Sequence, residues 1–334
     1  MPSSDTPLSD TRPSAIFLMG ATATGKTALA CSLAERFPLG LISVDSALVY
    51  RGLDIGTAKP DAATLARHPH RLIDIRDPAE PYSAAEFRAD ALAAMAEIWR
   101  TGGVPLLVGG TGLYFRALAT GLSELPEASR ELRARIAEDA SRVGWPALHE
   151  KLRWLDAPAA ERIRAGDAQR IQRALEIIEL TGKPLSAQTG GVRRRAPWRF
   201  LKLALVPNDR TELHARIAQR FDAMLDAGLL DEVRALRARG DLHANLPALR
   251  AVGYRQAWEH LDGASDAPTF RQRAIFATRQ LAKRQITWLR GELDARWFDP
   301  EDSHSADAVV DAVRSFVGPA FVGRAFVGSE VTNS

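Results

Sequence analysis

A single cysteine, Cys31, in 334 residues excludes an intramolecular disulfide framework and any CxxC-type zinc site. Long hydrophobic runs are absent too: no stretch of about 18 apolar residues exists to span a bilayer as a helix. Residues 1–13 are polar and rich in Pro, Ser and Thr, unlike a signal peptide. A cytoplasmic protein with no membrane partner is therefore expected. Net charge is small, 44 Lys+Arg against 41 Asp+Glu giving +3, so the total identifies no partner. Lysine is scarce: six lysines leave 38 of the 44 basic residues as arginine. Arginine's planar fork suits phosphates and base edges, although an arginine-rich genome would produce the same count. What is present is an ordinary globular composition, 46% hydrophobic and 25% charged, in a chain long enough for two domains or one with a large insertion.

Apolar runs at residues 15–19 (AIFLM), 40–44 (GLISV) and 104–108 (VPLLV) read as strands, with residues 71–75 (RLIDI) a further candidate. Residues 83–100 read as an amphipathic helix opened by Ser83, with Glu86 at capping-box spacing. This alternation predicts an α/β fold, a P-loop NTPase-like parallel sheet with flanking helices and an inserted all-helical domain, with ligands at the carboxyl ends of the strands. Residues 126–184 hold no strand-like run, and helix breaks fall at 144–146, 157–158 and 182–184. Residues 200–206 (FLKLALV) then return to the sheet, the chain is expected helical from Thr211 to about residue 290, and residues 296–298 form a last strand. The expected organisation is a disordered N-terminus at 1–13, a P-loop core at 14–121 plus 199–299 and a helical insertion at 122–198. A C-terminal helix and low-complexity tail occupy 300–334, the tail carrying Phe-Val-Gly at 316, 321 and 326.

Gly20-Ala21-Thr22-Ala23-Thr24-Gly25-Lys26-Thr27 matches G-x-x-x-x-G-K-[ST], between an apolar strand and a helix. Loop N–H groups surround a phosphate, Lys26 adds charge, and the Thr27 hydroxyl can hold Mg²⁺. Asp45 ends the second strand, where a carboxylate acts as a base or binds Mg²⁺ through water; Asp45-Ser46 is also good capping chemistry. The following loop places Tyr50, Arg51 and Lys59 toward the same edge. Gly109-Gly110-Thr111-Gly112-Leu113-Tyr114 stands where a P-loop NTPase often carries a metal-binding Asp, and contains no carboxylate. Its two glycines would let a ligand approach closely while the Thr111 hydroxyl donates to a leaving or bridging oxygen; a tight turn into a helix near Leu113 reads equally well. The missing acid argues against ordinary ATP hydrolysis.

Residues 181–208 and 267–291 contain no acid. The first carries Lys183, Arg193, Arg194, Arg195, Arg199 and Lys202 with Trp198 and Phe200; the second carries Arg271, Arg273, Arg279, Lys283, Arg284 and Arg290 with Phe270, Phe276 and Trp288. Basic stretches with interleaved aromatics fit nucleic acid, the alternative being solvated helix faces. Gln169, Gln172 and Arg173 share one helical face in DAQRIQRALE, side chains that read base edges or form a plain polar stripe. His68 and His70 lack companion ligands and read as loop residues; Cys31 reads as a packed thiol.

Together GATATGKT, DSALVYR, IGTAKP, GGTGLY, DAQRIQRALE, AVGYRQ and TRQLAKRQITWLR, in this order over about residues 14–299, resemble the bacterial tRNA dimethylallyltransferases, also called tRNA isopentenyltransferases. The resemblance implies transfer of a dimethylallyl group from dimethylallyl diphosphate to N6 of the adenine 3′ of the anticodon, in tRNAs reading codons that begin with U, with release of diphosphate. It implies Asp45 as general base and Thr111 at the bridging oxygen. It puts Gly20, Ala21, Thr22, Ala23, Thr24, Gly25, Lys26, Thr27 and Arg220 on the diphosphate, with Arg216 an equal match to the arginine, and Mg²⁺ at Thr27. It also puts Ser46, Ala47, Leu48, Gln169, Arg170, Ile171, Gln172, Arg173, Arg250, Ala251, Val252, Gly253, Tyr254, Arg255, Lys283, Arg284, Gln285, Ile286, Thr287, Trp288, Leu289 and Arg290 on the tRNA anticodon stem-loop. The insertion resembles the family's mobile domain, a monomer is expected, and Ala21 departs from the usual Pro. A C-terminal zinc finger, carried by some members, is excluded by the single cysteine.

Overall fold

The structure is a computed structural model and describes residues 12–123, 125–188 and 195–318. In chain order the elements are β1 (Ser14–Gly20), α1 (Lys26–Arg36), β2 (Leu39–Val44), α2 (Ala62–Arg67), β3 (His70–Arg71), α3 (Ala84–Arg100), β4 (Val104–Gly109) and α4 (Gly112–Thr120). Then come α5 (Arg130–Val143), α6 (Trp145–Leu155), α7 (Ala157–Arg162), α8 (Ala168–Thr181), α9 (Leu185–Gln188) and β5 (Arg199–Leu205). The last are α10 (Arg210–Asp226), α11 (Leu229–Ala238), α12 (Tyr254–Leu261), α13 (Ala267–Leu289), β6 (Arg296–Phe298) and α14 (Ser305–Val317).

Six parallel strands run in the order β3-β2-β4-β1-β5-β6. β1 is apolar throughout its centre because helices cover both faces of the sheet, the usual condition of parallel strands. Ile16, Leu18, Leu106 and Leu203 pack under α1 and α14; Phe17, Met19, Ile42 and Leu107 pack under α3 and α4. Register brings the functional loops together. Met19 of β1 and Val44 of β2 both pair with Gly109 of β4, and Gly20 pairs with Leu205 of β5, so the turns after β1, β2 and β4 leave one edge. A further core joins α10, α11, α12 and α13 to Val49, Tyr50 and Leu53.

Two compact units are distinguished, Met1–Ala119 with Ala196–Ser334, and Thr120–Arg195. The second has its own core of Leu132, Ile136, Leu152, Ile171 and Leu175. Glu176, fully buried on α8, accepts from Arg133, Arg173 and the Ser129 N–H, which satisfies a charge that would otherwise be costly inside. Asp156 caps α7 through Ala159 N–H and also holds Ser186 N–H.

The Ser83–Glu86 capping box is present; of the expected helix breaks, Gly144 and residues 182–184 fall between helices, whereas Trp145-Pro146 and Ala157-Pro158 are the opening residues of α6 and α7, where proline is tolerated. Residues 71–75 are not a strand: β3 ends at Arg71 because Leu72 and Asp74 adopt φ of 66° and 57°, which leaves Asp74 turned onto Lys59. His70 belongs to β3 rather than to a loop. Helix is interrupted over residues 239–253, where Gly240 and Gly253 take φ of 78° and 95°. Pro13, expected disordered, already accepts the Arg199 N–H at 2.9 Å; residues 1–11 lie outside the described residues. So do Arg193, Arg194 and the Phe-Val-Gly copies at 321 and 326. The copy at 316 closes α14, with the Phe316 ring under the Arg199 guanidinium at 4.5 Å.

Candidate functional site

The turn after β1 is shaped by what it excludes. A Cβ on Gly20 would stand 2.7 Å from Leu205 O, and Ala23 and Gly25 turn back with φ of 64° and 78°. Thr24 Oγ1 donates to Ala21 O at 2.9 Å, and Lys26 Nζ folds onto the same carbonyl. Ala21 is fully buried among the C-terminal helices. Thr27, in the first turn of α1, is exposed to the cleft.

Lys26 is half-buried and its amine is pushed down to about 7, chiefly by burial and then by the Arg220 guanidinium, with Asp45 opposing. Above that pH the ligand-free protein holds a neutral amine, whereas a bound diphosphate favours ammonium. Ligand binding should therefore take up a proton, and affinity should fall as pH rises above about 7. Calorimetry in buffers of different ionisation enthalpy should read uptake approaching one proton per diphosphate at about pH 8.5 and none below about pH 6. Uptake independent of pH would contradict this role.

Asp45 and Thr111 meet across adjacent strand ends. Asp45 Oδ1 accepts from Ala47 N–H (2.8 Å) and Leu48 N–H (3.4 Å), which makes it the turn cap; Oδ2 has no partner among the described residues. Thr111 N–H donates to Val44 O, and Thr111 Oγ1 accepts from Ser46 N–H, both at 3.2 Å. An oxygen that accepts there keeps its own hydrogen free to donate elsewhere.

Gly109 and Gly110 line the cleft, and on the side where a side chain would stand, protein groups fill the space around all three glycines next to Thr111. A Cβ on Gly109 would lie 2.1 Å from Val44 O, one on Gly110 2.3 Å from Gln285 Nε2, and one on Gly112 2.2 Å from the Trp288 indole.

Arg220 on α10 lines the cleft and donates to Thr57 O at 3.3 Å; burial lowers its pKa while Asp45 raises it. Arg216, one turn earlier, contacts Ala23 O and is ion-paired with Glu301. The loop after β2 reaches the cleft through Ala47, Leu48 and Gly56 to Ala58, but not through Tyr50 and Lys59 as expected. Tyr50 is buried, and Lys59 is sealed onto Tyr50 O, Asp54 and Asp74. Sequence reading missed Glu232, whose carboxylate collects the N–H groups of Asp54, Ile55 and Gly56 at 2.9, 2.8 and 3.3 Å and the Tyr254 hydroxyl. A Cβ on Gly56 would strike the Tyr254 ring at 2.5 Å. An acid one turn into α11 carries no motif, and only its position 176 to 178 residues from its partners reveals the role.

These parts enclose a cleft of about 380 Å³, lined by Thr22 to Ala28, Asp45, Ala47, Leu48, Gly56 to Ala58, Gly109, Gly110, Arg220, Ala251 to Gly253 and Gln285. Asp45 is the one carboxylate in that lining.

The residues expected on tRNA divide sharply. Lys283, Arg284, Thr287 and Arg290 are exposed on one face of α13, with Phe276 exposed further back, while Arg250 and Arg255 are exposed around α12, Arg255 paired with Glu259. Gln169 and Arg170 are exposed on α8. Ile171, Tyr254, Ile286 and Leu289 are core residues whose side chains reach no solvent-borne partner, a correction that follows from their place on the apolar sides of α8, α12 and α13. Gln172 and Arg173 are partly spent on Arg133 O, Glu176 and Pro126 O. Trp288 packs over Gly112 beside Phe115, and Gln285 binds two loops of the cleft. Among the described residues no helix is long and apolar enough to cross a membrane, and no cluster of three His, Cys, Asp or Glu could hold a metal.

The family model described as IPP transferase matches residues 48–292. The tRNA dimethylallyltransferase of Thiobacillus denitrificans is 62% identical over 278 residues, 83% of this chain and 89% of that protein. That of Alkalilimnicola ehrlichii is 60% identical over 306 residues, 91% and 96% of the two chains. Among solved structures, the full-length tRNA isopentenylpyrophosphate transferase of Bacillus halodurans matches with TM-score 0.68 and 34% identity over 92% of this chain and 97% of that one. A eukaryotic dimethylallyltransferase acting on tRNA matches with TM-score 0.75 and 25% identity over 90% and 78%.

Proposed function

Because the chain belongs to the IPP transferase family and is a tRNA-modifying prenyltransferase, we propose that it moves the dimethylallyl group of dimethylallyl diphosphate onto N6 of the adenine 3′ of the anticodon, in tRNAs reading codons that begin with U. The observation that carries this reading is the meeting of Asp45 and the Thr111 hydroxyl at adjacent strand ends, over a phosphate loop with no second acid in its cleft.

The chemistry has three needs. An exocyclic adenine amine is a weak nucleophile, so its proton must go to a base as the N–C bond forms; Asp45 Oδ2 takes it. The allylic C–O bond breaks as that bond forms, and negative charge collects on the bridging oxygen, where the Thr111 O–H donates. The departing diphosphate keeps both electrons of the broken bond, and the loop N–H groups, Lys26 and Arg220 neutralise it. Arg220 suits this better than Arg216, which Glu301 already neutralises. The donor set fits a magnesium ion: the exposed Thr27 hydroxyl and diphosphate oxygens would hold it, and it would supply charge neutralisation. Reaching an amine inside a stacked anticodon loop requires the base to be flipped out.

The basic face of α13, with Lys283, Arg284 and Arg290, and the exposed arginines at 250 and 255 give the anticodon stem-loop its phosphate contacts. Each phosphate contact removed by alanine at 283, 284 or 290 should reduce the log–log salt slope of tRNA binding by about 0.7 to 0.9. Unchanged slopes in filter binding would take this face off the RNA. The function itself is tested with an anticodon stem-loop whose adenine 3′ of the anticodon is replaced by purine riboside, which lacks the amine. Transfer should occur on the adenine substrate and vanish on the replacement; prenylation that persists would place the acceptor elsewhere. A nucleotide kinase on the same fold would instead consume ATP and have no use for α13's basic face.

A further inference from the structure

Gln285 sits in the segment expected to touch RNA, yet both ends of its amide point into the protein. Its Oε1 accepts the Thr22 N–H of the phosphate loop at 2.9 Å, and its Nε2 donates to Gly110 O, one residue before Thr111, at 3.2 Å. These partners lie 263 and 175 residues away in the chain, on turns that follow different strands. The fit is close, because any side chain at Gly110 would displace the amide. Three residues on, Trp288 seals Gly112 on the other side of Thr111. The opposite face of the same helix carries exposed Lys283, Arg284, Thr287 and Arg290.

We propose that Gln285 is a positioning residue for prenyl transfer: its amide sets the spacing between the diphosphate loop and Thr111, and so ties the donor site to the helix that the RNA grips. The proposal rests on the function given above. An amide is suited to this task because one end must accept and the other donate, which neither a carboxylate nor a hydrocarbon can do at once. Without the strut the Thr22 N–H and Gly110 O lose their partners, and the bridging oxygen is no longer fixed against the Thr111 hydroxyl. Misplacement on that scale costs rate more than affinity for the distant substrate.

Gln285→Ala and the size-matched Gln285→Glu should lower kcat by about tenfold or more, while tRNA affinity in filter binding stays within about twofold. Dimethylallyl diphosphate affinity, read by calorimetry without tRNA, should weaken about threefold to tenfold, roughly one lost hydrogen bond at the loop. Gly110→Ala, which pushes the amide aside, should reproduce the loss, and the double variant Gly110→Ala/Gln285→Ala should be no worse than the poorer single one. Loss of tRNA affinity with kcat unchanged would make Gln285 a direct RNA contact and overturn the proposal. So would kcat and donor affinity within twofold of wild type, or additive defects in the double variant. If the wild-type protein transferred no prenyl group, the function would fall while the calorimetric donor affinities still decided whether the strut exists.

Discussion

Asp45→Asn should lower kcat for prenyl transfer by about 10²–10⁴-fold, the usual worth of a positioned general base. Asparagine keeps the size of the side chain, and its carbonyl oxygen still caps the turn through Ala47 N–H, so the loop that joins β2 to the cleft keeps its path. What disappears is the one carboxylate in the cleft lining. tRNA affinity should stay within about twofold, because the phosphate contacts lie on α13 and around α12 rather than at Asp45. Donor affinity should be unchanged or higher, since a negative charge near the diphosphate has been removed. Kinetics at saturating donor and tRNA separate the outcomes. A defect confined to donor KM would put Asp45 on the diphosphate's metal ion, and the base would have to be sought elsewhere.

Thr111→Val should lower kcat by about 10²–10³-fold, the scale of one lost donor to a developing oxyanion, and Thr111→Ser should restore most of it. Valine is of similar size and keeps the backbone bond from Thr111 N–H to Val44 O, so the loss isolates the hydroxyl. Valine also strands the Ser46 N–H, and some destabilisation is expected from that unpaired donor. Serine repairs both. If Thr111→Val changed tRNA affinity alone, or if serine failed to rescue the rate, the hydroxyl would not be acting on the leaving group.

Much of the fold could be read in advance because its signals are local. The apolar runs of β1, β2 and β4, the G-x-x-x-x-G-K-T turn, the Ser83–Glu86 box and the glycine and proline breaks of the helical unit each act within a few residues, and the structure follows them. Residues 71–75 failed as a strand because an apolar alternation cannot show that Leu72 and Asp74 turn to positive φ to deliver a carboxylate to Lys59. The site was legible where a motif carries it: the phosphate loop, Asp45 and Thr111. It was opaque where the work is done by partners far apart in the chain. Glu232 gathers three N–H groups of the 54–56 turn, and Gln285 joins Thr22 to Gly110, and neither pairing leaves a periodic mark. Gly109 and Gly110 line the cleft, yet what forbids a side chain there is the Val44 backbone and the Gln285 amide, which only distance reveals. The resemblance puts all of 283–290 on RNA, but the segment divides into an exposed polar face and an inner face of Ile286, Trp288 and Leu289.

The central claim is most directly tested by digesting an anticodon stem-loop after incubation with the protein, Mg²⁺ and dimethylallyl diphosphate, and separating its nucleosides by chromatography with mass detection. The expected product is adenosine carrying one dimethylallyl group on N6, from the position 3′ of the anticodon, with one diphosphate released per transfer. Unmodified adenosine throughout, with ADP accumulating when ATP and a small acceptor are supplied, would contradict the account.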